Sequence, residues 1–462
     1  MKTVFIHGGT LVDPSQGLEG RADLVCLDGK VHAVLPDPAP EQTAYWKNRA
    51  DLIINAAGKI VSPGFIDIHM HEDPYDRETG ILERNIARTM ARMGVTTALG
   101  GNCGSNAAAP DRYLDAVDRQ GTAVNLALLA GHTFLRKQCG GADKYAPVDD
   151  GVITEMARRC EGYLDAGCFG VSFGVKYIPG TRWEEIISLS RLCRKGGKLV
   201  SSHVRKDVDG VFEACEELAG IGKQAGVKVQ FSHIGSMGGY GQMEQLLAQI
   251  ENHRAEGIDL MCDCYPYDAF STEIGATTYD PENFAAYHSD HSAILLCDGP
   301  YAGKRCTRSM FDEMRSTRPQ TMTVGYFMNQ AEVDMALLKP YVMLGSDGLL
   351  VGDQGHPRAA GAFPRFLRQY AAGGKMGLSH AIAKVTTMAA QRLGLTRKGS
   401  LKPGCDADVT VFDLGRVTDK ATYTDPVLAP EGIDWVLIGG QAAVQEGKLV
   451  REDLGRAVRA GT

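Results

Sequence analysis

Short apolar runs alternate with amphipathic segments through the middle of the chain. Eight of these runs have the length of a strand, and they cover residues 65–71, 96–102, 125–132, 169–176, 198–204, 227–234, 259–267 and 341–347. Segments with helical periodicity, such as ILERNIARTMARMG and VFEACEELAGIGKQAG, separate several of them. Eight β/α units predict an α/β fold, and in particular a (β/α)8 barrel of the TIM type.

The two ends of the chain have a different pattern. Residues 1–61 and 396–462 are rich in strand-like segments with Gly-centred turns. We expect these two stretches to pair into one small β-sandwich domain, with the barrel at 62–395. The long gap between the seventh and eighth strands predicts an insertion at about 272–338 that covers the barrel mouth.

Composition narrows the class of protein. The chain has 462 residues, a formal net charge of −7 and no dense Lys/Arg tract, which argues against binding to nucleic acid or to an anionic membrane. No apolar run approaches the roughly 20 residues that span a bilayer, and the N-terminus lacks a secretory signal. Twelve cysteines without a CxxC pair suit reduced thiols, so we expect a cytoplasmic protein.

Polar side chains collect where the predicted strands end, which is where barrel enzymes place their catalytic groups. The residues at or just after these ends are His69, His71, Cys103, His132, Lys176, His203, His233 and Asp347. Residues i and i+2 of a strand point to one side, so His69 and His71 can bind one metal ion together. Imidazole favours borderline divalent metals, and the set as a whole predicts a metal site.

Lys176 ends the apolar run FGVSFGVKY. Burial disfavours a charged amine, and a neutral lysine can add carbon dioxide to become a carbamate. The two oxygens of this N6-carboxylysine can bridge metal ions that lie roughly 3.5–4 Å apart. The alternatives are a lysine that reaches solvent at the rim and one that binds a substrate carboxylate.

These residues resemble the amidohydrolase superfamily. VSPGFIDIHMH is similar to its strand-one signature, and KGSLKPGCDADVTVFD to its C-terminal return into the β-sandwich. Within it, most of the chain resembles the D-aminoacylases, which are N-acyl-D-amino-acid deacylases. The segments that carry this closer resemblance are GVTTALGGNCG, AGHTFLR, SSHVRKD, YPYDAFST and GSDGLLVGDQGHPRAAGAFPRFL.

The resemblance implies a role for each site residue. One metal ion would be held by His69 and His71 with Asp347 beside it, and a second, tightly held one by His203 and His233. The other implied roles are a thiolate ligand for Cys103, a substrate-carboxylate partner for Arg358, and substrate contacts for Tyr177 and Tyr267, with Tyr265 as an alternative to Tyr267. The implied cofactor is one or two divalent ions, zinc by expectation, and the implied partner is a small-molecule substrate. A homo-oligomer is left open.

Two positions depart from the D-aminoacylase pattern. Lys176 stands where dihydroorotases and hydantoinases carry a carbamylated lysine and D-aminoacylases usually carry none, so Lys176 and Cys103 are both candidate bridges. Gly235 stands where D-aminoacylases place a substrate-binding lysine, which puts the usual N-acyl-D-amino-acid substrate in doubt.

The expected reaction is hydrolysis of a carbon–nitrogen amide bond of an N-acyl amino acid or related compound. Asp347 would act as general base and then general acid, while the metal polarises the carbonyl. His132 or Tyr267 would assist as a donor, although His132 fits a structural role equally well. The alternatives are a cyclic amide hydrolase and an inactive scaffold, and the intact ligand set argues against the scaffold.

Overall fold

The computed structural model describes residues 2–461. The first part of the chain forms β1 (Thr3–Asp13), β2 (Leu18–Leu27), β3 (Lys30–Pro36), α1 (Pro40–Lys47), β4 (Leu52–Asn55) and β5 (Ile60–Pro63). Strand β1 is buried over most of its length, and it pairs with β2 in antiparallel register and with β4 and β5 in parallel register.

Strands and helices then alternate up to residue 264. In order they are β6 (Phe65–Asp67), α2 (Asn85–Arg92), β7 (Val95–Gly100), α3 (Pro110–Gln120), β8 (Asn125–Leu128), β9 (Ala130–Gly131), α4 (His132–Gln138), α5 (Asp150–Asp165), β10 (Gly170–Gly174), α6 (Trp183–Leu192), β11 (Leu199–His203), α7 (Val211–Ala225), β12 (Lys228–Phe231), α8 (Gly235–Gly238), α9 (Met243–Ala255) and β13 (Leu260–Cys264). Strands such as β7 are buried along their whole length, as expected for parallel strands covered by helices.

The stretch predicted as an insertion has its own small sheet. It contains β14 (Phe270–Glu273), α10 (Pro281–Ala286), β15 (Ile294–Leu296), α11 (Arg308–Thr317), β16 (Met322–Gly325) and α12 (Gln330–Leu338). The central strand of this antiparallel sheet is β16, which pairs with β14 and β15.

The last part of the chain returns to both larger sheets. It contains β17 (Val342–Leu344), β18 (Leu350–Val351), β19 (Gln354–Gly355), α13 (Arg358–Phe366), α14 (Leu378–Val385), α15 (Thr387–Leu393), β20 (Val409–Phe412), β21 (Ile433–Ile438), β22 (Gln441–Gln445) and β23 (Lys448–Leu449). Among the described residues, β20 to β23 join β1 to β5 in one nine-stranded sheet, so both chain ends contribute to it.

Each of the eight predicted strand segments contains an observed strand, and all of these strands pair in parallel. One run joins β6, β7 and β8, and the other runs β9, β10, β11, β12, β13 and β17. Backbone hydrogen bonds connect the two runs, since Phe169 donates to Leu128 and Asp347 donates to His69, at 2.9 and 2.8 Å. The fold is therefore a mixed α/β fold whose parallel strands direct their carboxyl ends to one side.

Candidate metal centre

Most of the predicted site residues lie just beyond the strands, in the turns that follow them. Strand β6 ends at Asp67, two residues before His69, and β17 ends at Leu344, three residues before Asp347. Three of the residues, Cys103, His233 and Asp347, have positive φ angles of 52°, 35° and 49°. Such backbone costs of order 1–3 kcal/mol and is concentrated at functional sites.

The structure brings five of the predicted ligands into two overlapping groups. His69, Cys103 and His233 form one group, and His69, His71 and Asp347 form the other, with ligand atoms that lie within 4.8 Å of one another in each group. The Cys103 Sγ atom is 3.5 Å from Nε2 of His69 and 3.4 Å from Nε2 of His233. Asp347 Oδ1 is 3.1 Å from Nε2 of His71. Imidazole, thiolate and carboxylate donors at such spacing suit a zinc ion.

His203, the remaining predicted histidine ligand, lies next to the first group but belongs to neither of the two. Its side chain is buried beside His233, with ring centroids 4.5 Å apart, and neither of its nitrogens makes a side-chain or backbone hydrogen bond within residues 2–461. Burial, reinforced by the charge of His233, lowers the pKa of His203 to about 4. The neutral ring therefore offers a lone pair at neutral pH, and a metal ion would satisfy a nitrogen that the protein leaves without a partner.

The charges of the site support one another. Burial raises the pKa of the Cys103 thiol, but the imidazoles of His69 and His233 outweigh burial and hold that pKa well below its usual value. Burial also acts against the Asp347 carboxylate, yet the Arg358 guanidinium and His233 hold its pKa well below the usual range. The Asp347 carboxylate is accordingly anionic at neutral pH, and the lowered pKa of Cys103 favours the thiolate, the form in which a cysteine binds a metal.

Lys176 lies in a helical turn after β10, with its ammonium paired to Asp207. Only 4% of the residue is exposed, and burial lowers the pKa of its amine, although the Asp207 carboxylate opposes that shift. Asp207 also accepts a hydrogen bond from Tyr287 of the insertion. Lys176 lies outside both ligand groups, because its ammonium is directed at Asp207.

A cavity of about 560 Å³ opens beside the ligand groups. Its walls include His71, Cys103, Tyr177, His233, Asp347, Arg358 and, from β14 and the residues after it, Ser271, Thr272, Glu273, Gly275, Ala276 and Thr277. Arg358 is 2% exposed, and its Nη2 donates to Asp347 Oδ2 at 2.9 Å. Its Nε and Nη1 make no hydrogen bond to any described residue, so the guanidinium has free donors beside the cavity.

The remaining predicted substrate contacts are placed differently. Tyr177 lines the cavity, and its ring centre lies 4.4 Å from the ring centre of His203. Tyr267 packs against His356 and under the Arg365 guanidinium, and its hydroxyl has no partner within residues 2–461. The substrate roles of Tyr177 and Tyr267 stay predictions.

Tyr265 and His132 each contact a charged side chain. Tyr265 lies under the Arg358 guanidinium, at 4.5 Å from its ring centre. The His132 imidazole is fully buried and contacts Glu185 at 3.0 Å, which fits the structural role that was left open. The substrate role of His132 therefore stays a prediction.

Two buried carboxylates near the site carry no motif that would have revealed them. Asp263 accepts hydrogen bonds from the His69 ring and from the His233 backbone, at 2.9 and 2.8 Å. Glu72 accepts from the backbone of Gly101 and Ala107, at 2.6 and 3.0 Å, on either side of Cys103. Both carboxylates contact segments far from them in sequence. The only signal in the sequence is that Glu72 directly follows the HMH motif.

Comparison with known proteins places this geometry in a class. The profile of the "Amidohydrolase family" matches residues 339–444. An N-acyl-D-glutamate deacylase and a D-aminoacylase, both of Alcaligenes xylosoxydans xylosoxydans, are each 31% identical to this chain. The matches cover 97% and 98% of this chain, and 96% and 97% of those relatives. The fold and site thus define a hydrolase that acts on carbon–nitrogen amide bonds.

Solved structures agree with these matches. The N-acyl-D-glutamate deacylase of Bordetella bronchiseptica, solved with zinc and a phosphonate mimic of the tetrahedral intermediate, is 30% identical, with a TM-score of 0.86 and full coverage of both chains. A D-hydantoinase at 17% identity and a TM-score of 0.63 shares the fold alone. The chain belongs to the amidohydrolases, in the family of the N-acyl-D-amino-acid deacylases, as its motifs predicted.

Proposed function

We propose that this enzyme deacylates an N-acyl-D-amino acid, with one or two zinc ions in the candidate metal centre. Arg358 carries the proposal, because a buried guanidinium with two free nitrogens beside the cavity is suited to a substrate carboxylate. The relatives named N-acyl-D-glutamate deacylase and D-aminoacylase support the same substrate class.

A bound zinc ion would lower the pKa of water and polarise the substrate carbonyl. The chain itself would contribute positioning and proton transfer. Arg358 would hold the substrate carboxylate, which places the amide next to Asp347. The Asp347 carboxylate, ionised at neutral pH, would accept a proton from the attacking water and deliver it to the leaving nitrogen.

The proposed ligands are His69 and His71 with Asp347 for one ion, and His203 and His233 for the other. The short contacts of Cys103 support it as the ligand between them. N6-carboxylysine at Lys176 stays an alternative bridge, supported by the burial of the amine. It would require Lys176 to leave Asp207.

The architecture can be proposed in finer detail too. The hydrogen bonds that join the segment after β6 to the segment after β17 support a closed (β/α)8 barrel at 62–395, with an insertion at about 272–338. The shared sheet supports a β-sandwich domain made of 1–61 and 396–462. All twelve cysteines are free, which supports the cytoplasm as the location. No helix in residues 2–461 has the length and hydropathy to cross a membrane.

A substrate screen tests the proposal. Zinc-loaded enzyme is incubated with N-acetyl-D-glutamate, N-acetyl-D-aspartate and N-acetyl-D-methionine, with their L-enantiomers, and with hydantoin and dihydrouracil. We expect release of free D-amino acids, and loss of that release in Asp347→Asn and after zinc is removed with a chelator. Turnover of the cyclic amides alone would overturn the proposal in favour of the cyclic amide hydrolase, which the position of Lys176 favours.

A further inference from the structure

We propose that Asp263 is a positioning residue that sets the distance and orientation of two metal ligands, His69 and His233. The proposal rests on the proposed function, because it assumes that these histidines hold zinc. Asp263 lies on β13, and only 1% of the residue is exposed. Its role is derived from three hydrogen bonds to its two carboxylate oxygens.

The first hydrogen bond fixes the ring of His69. Nδ1 of His69 lies 2.9 Å from Asp263 Oδ1, and a carboxylate only accepts, so the proton belongs on Nδ1. The lone pair is then on Nε2, the nitrogen that faces Cys103 at 3.5 Å. Partners of this kind fix the tautomer and orientation of a metal-binding histidine.

The second hydrogen bond acts on His233 through the backbone. The His233 N–H donates to the same Oδ1 at 2.8 Å, and it belongs to a residue with φ of 35°. This bond holds the strained turn in which the His233 ring reaches Cys103. One oxygen atom therefore joins ligands from the first and sixth strands, whose rings lie 5.1 Å apart.

The third hydrogen bond provides a control. Gln230 Nε2 donates to Asp263 Oδ2 at 3.0 Å, while its Oε1 has no hydrogen-bond partner within residues 2–461, so the side chain is hydrogen-bonded to neither histidine. Gly345 packs closely against His69 and Asp263, since a Cβ atom there would lie 2.8 Å from His69 Cβ and 3.2 Å from the Asp263 side chain. A change at Gln230 thus disturbs the same buried carboxylate without removing the bonds to the histidines.

Zinc affinity of the folded, metal-free protein tests this role, measured by competition with a chromophoric chelator. We expect Asp263→Asn to weaken zinc binding about tenfold and Asp263→Ala by up to about a hundredfold. The zinc affinity of Gln230→Met should stay within about threefold of the wild-type value. Its loss of thermal stability should be comparable to that of the Asp263 variants. The cobalt(II) absorption spectrum should change in the Asp263 variants only.

The outcomes separate the two proposals. Wild-type affinity in Asp263→Asn, or an equal loss in Gln230→Met, would overturn the positioning role. Should Asp263→Ala not fold, the comparison of Asp263→Asn with Gln230→Met decides alone. A wild-type protein that binds no zinc would contradict the proposed metal centre itself, whereas failure of the Asp263 role leaves the substrate screen unaffected.

Discussion

Cys103 and Lys176 are both buried, but their surroundings differ. The thiol contacts two imidazoles, while the ammonium is paired with a carboxylate. We expect Cys103→Ala to lose at least half of the bound zinc, measured by atomic emission on dialysed protein. Cys262→Ala is the control, since Cys262 is also a buried thiol, on β13, and lies outside both ligand groups.

The same zinc measurement addresses the carboxylysine. Two results together would support the bridge. Lys176→Ala would lose zinc, and wild type that has been stripped of metal would regain its full zinc content only when bicarbonate is added with the zinc. Full zinc content and full activity in Lys176→Ala would show that the carboxylysine prediction is wrong. Unchanged zinc in Cys103→Ala would exclude the thiolate in the same way.

Arg358 allows a prediction about specificity. Its free nitrogens should bind the substrate carboxylate, and removal of such a charged hydrogen bond costs about 3 kcal/mol, or roughly a hundredfold in kcat/KM. We expect Arg358→Met to lose that factor on an N-acetyl-D-amino acid relative to its carboxamide. Because both compounds are affected by the loss of the Asp347 contact, their ratio isolates carboxylate binding. An unchanged ratio would contradict the role.

At the scale of elements, the turn after β7 depends on Glu72. Its carboxylate accepts N–H groups of Gly101 and Ala107, and so fixes both ends of the turn that carries Cys103. Glu72→Gln places an amide donor against an N–H donor, which costs about 1–3 kcal/mol. Hydrogen exchange should therefore become at least about fivefold faster at residues 101–107.

A surface control accompanies that measurement. Glu155 is on α5, where it pairs with Arg158 and Arg159 near solvent. We expect Glu155→Gln to leave exchange at 101–107 unchanged, since exposed ion pairs contribute little. Equal exchange in Glu72→Gln and wild type would show that other contacts hold the turn.

The sequence predicted where the strands lie along the chain better than which side chains pair with one another. All eight strand segments were located because buried parallel strands leave continuous apolar runs, and the polar residues after them follow from the fold. The strands end earlier than predicted. Strand β6 stops at Asp67, so His69 and His71 lie in the segment after the strand, with their ring centres 5.9 Å apart. The Asp207 partner of Lys176 and the Asp263 partner of His69 were not found, because both are long-range pairs without a local pattern.

At the scale of the whole molecule, helix α14 packs between β1, from the first part of the chain, and β17, one of the parallel strands, and it carries a buried lysine. Lys384, on α14, is fully buried and donates to the carbonyls of Lys339 and Val342, at 2.5 and 2.6 Å, next to β17. No carboxylate among the described residues pairs with it in an ion pair. Burial lowers its pKa to about 7 from the usual 10.5.

That shift gives the molecule a pH-dependent stability of a definite sign. Between pH 7 and about 10 the unfolded chain keeps the Lys384 proton and the folded chain has lost it, so the unfolded state binds more protons. The free energy of unfolding should therefore rise with pH across this window, by up to about 1.4 kcal/mol per unit from this group. Lys384→Met should remove that slope.

Urea unfolding of wild type and Lys384→Met at pH 7.5, 8.5 and 9.5 measures the difference. Cysteine and tyrosine groups titrate in the same range, but they are common to both proteins and cancel in the comparison. We expect the stability of wild type relative to Lys384→Met to increase with each step in pH. A constant difference would mean that Lys384 keeps its proton in the folded state, and that the two carbonyls bind an ammonium ion whose charge they stabilise enough to offset its burial.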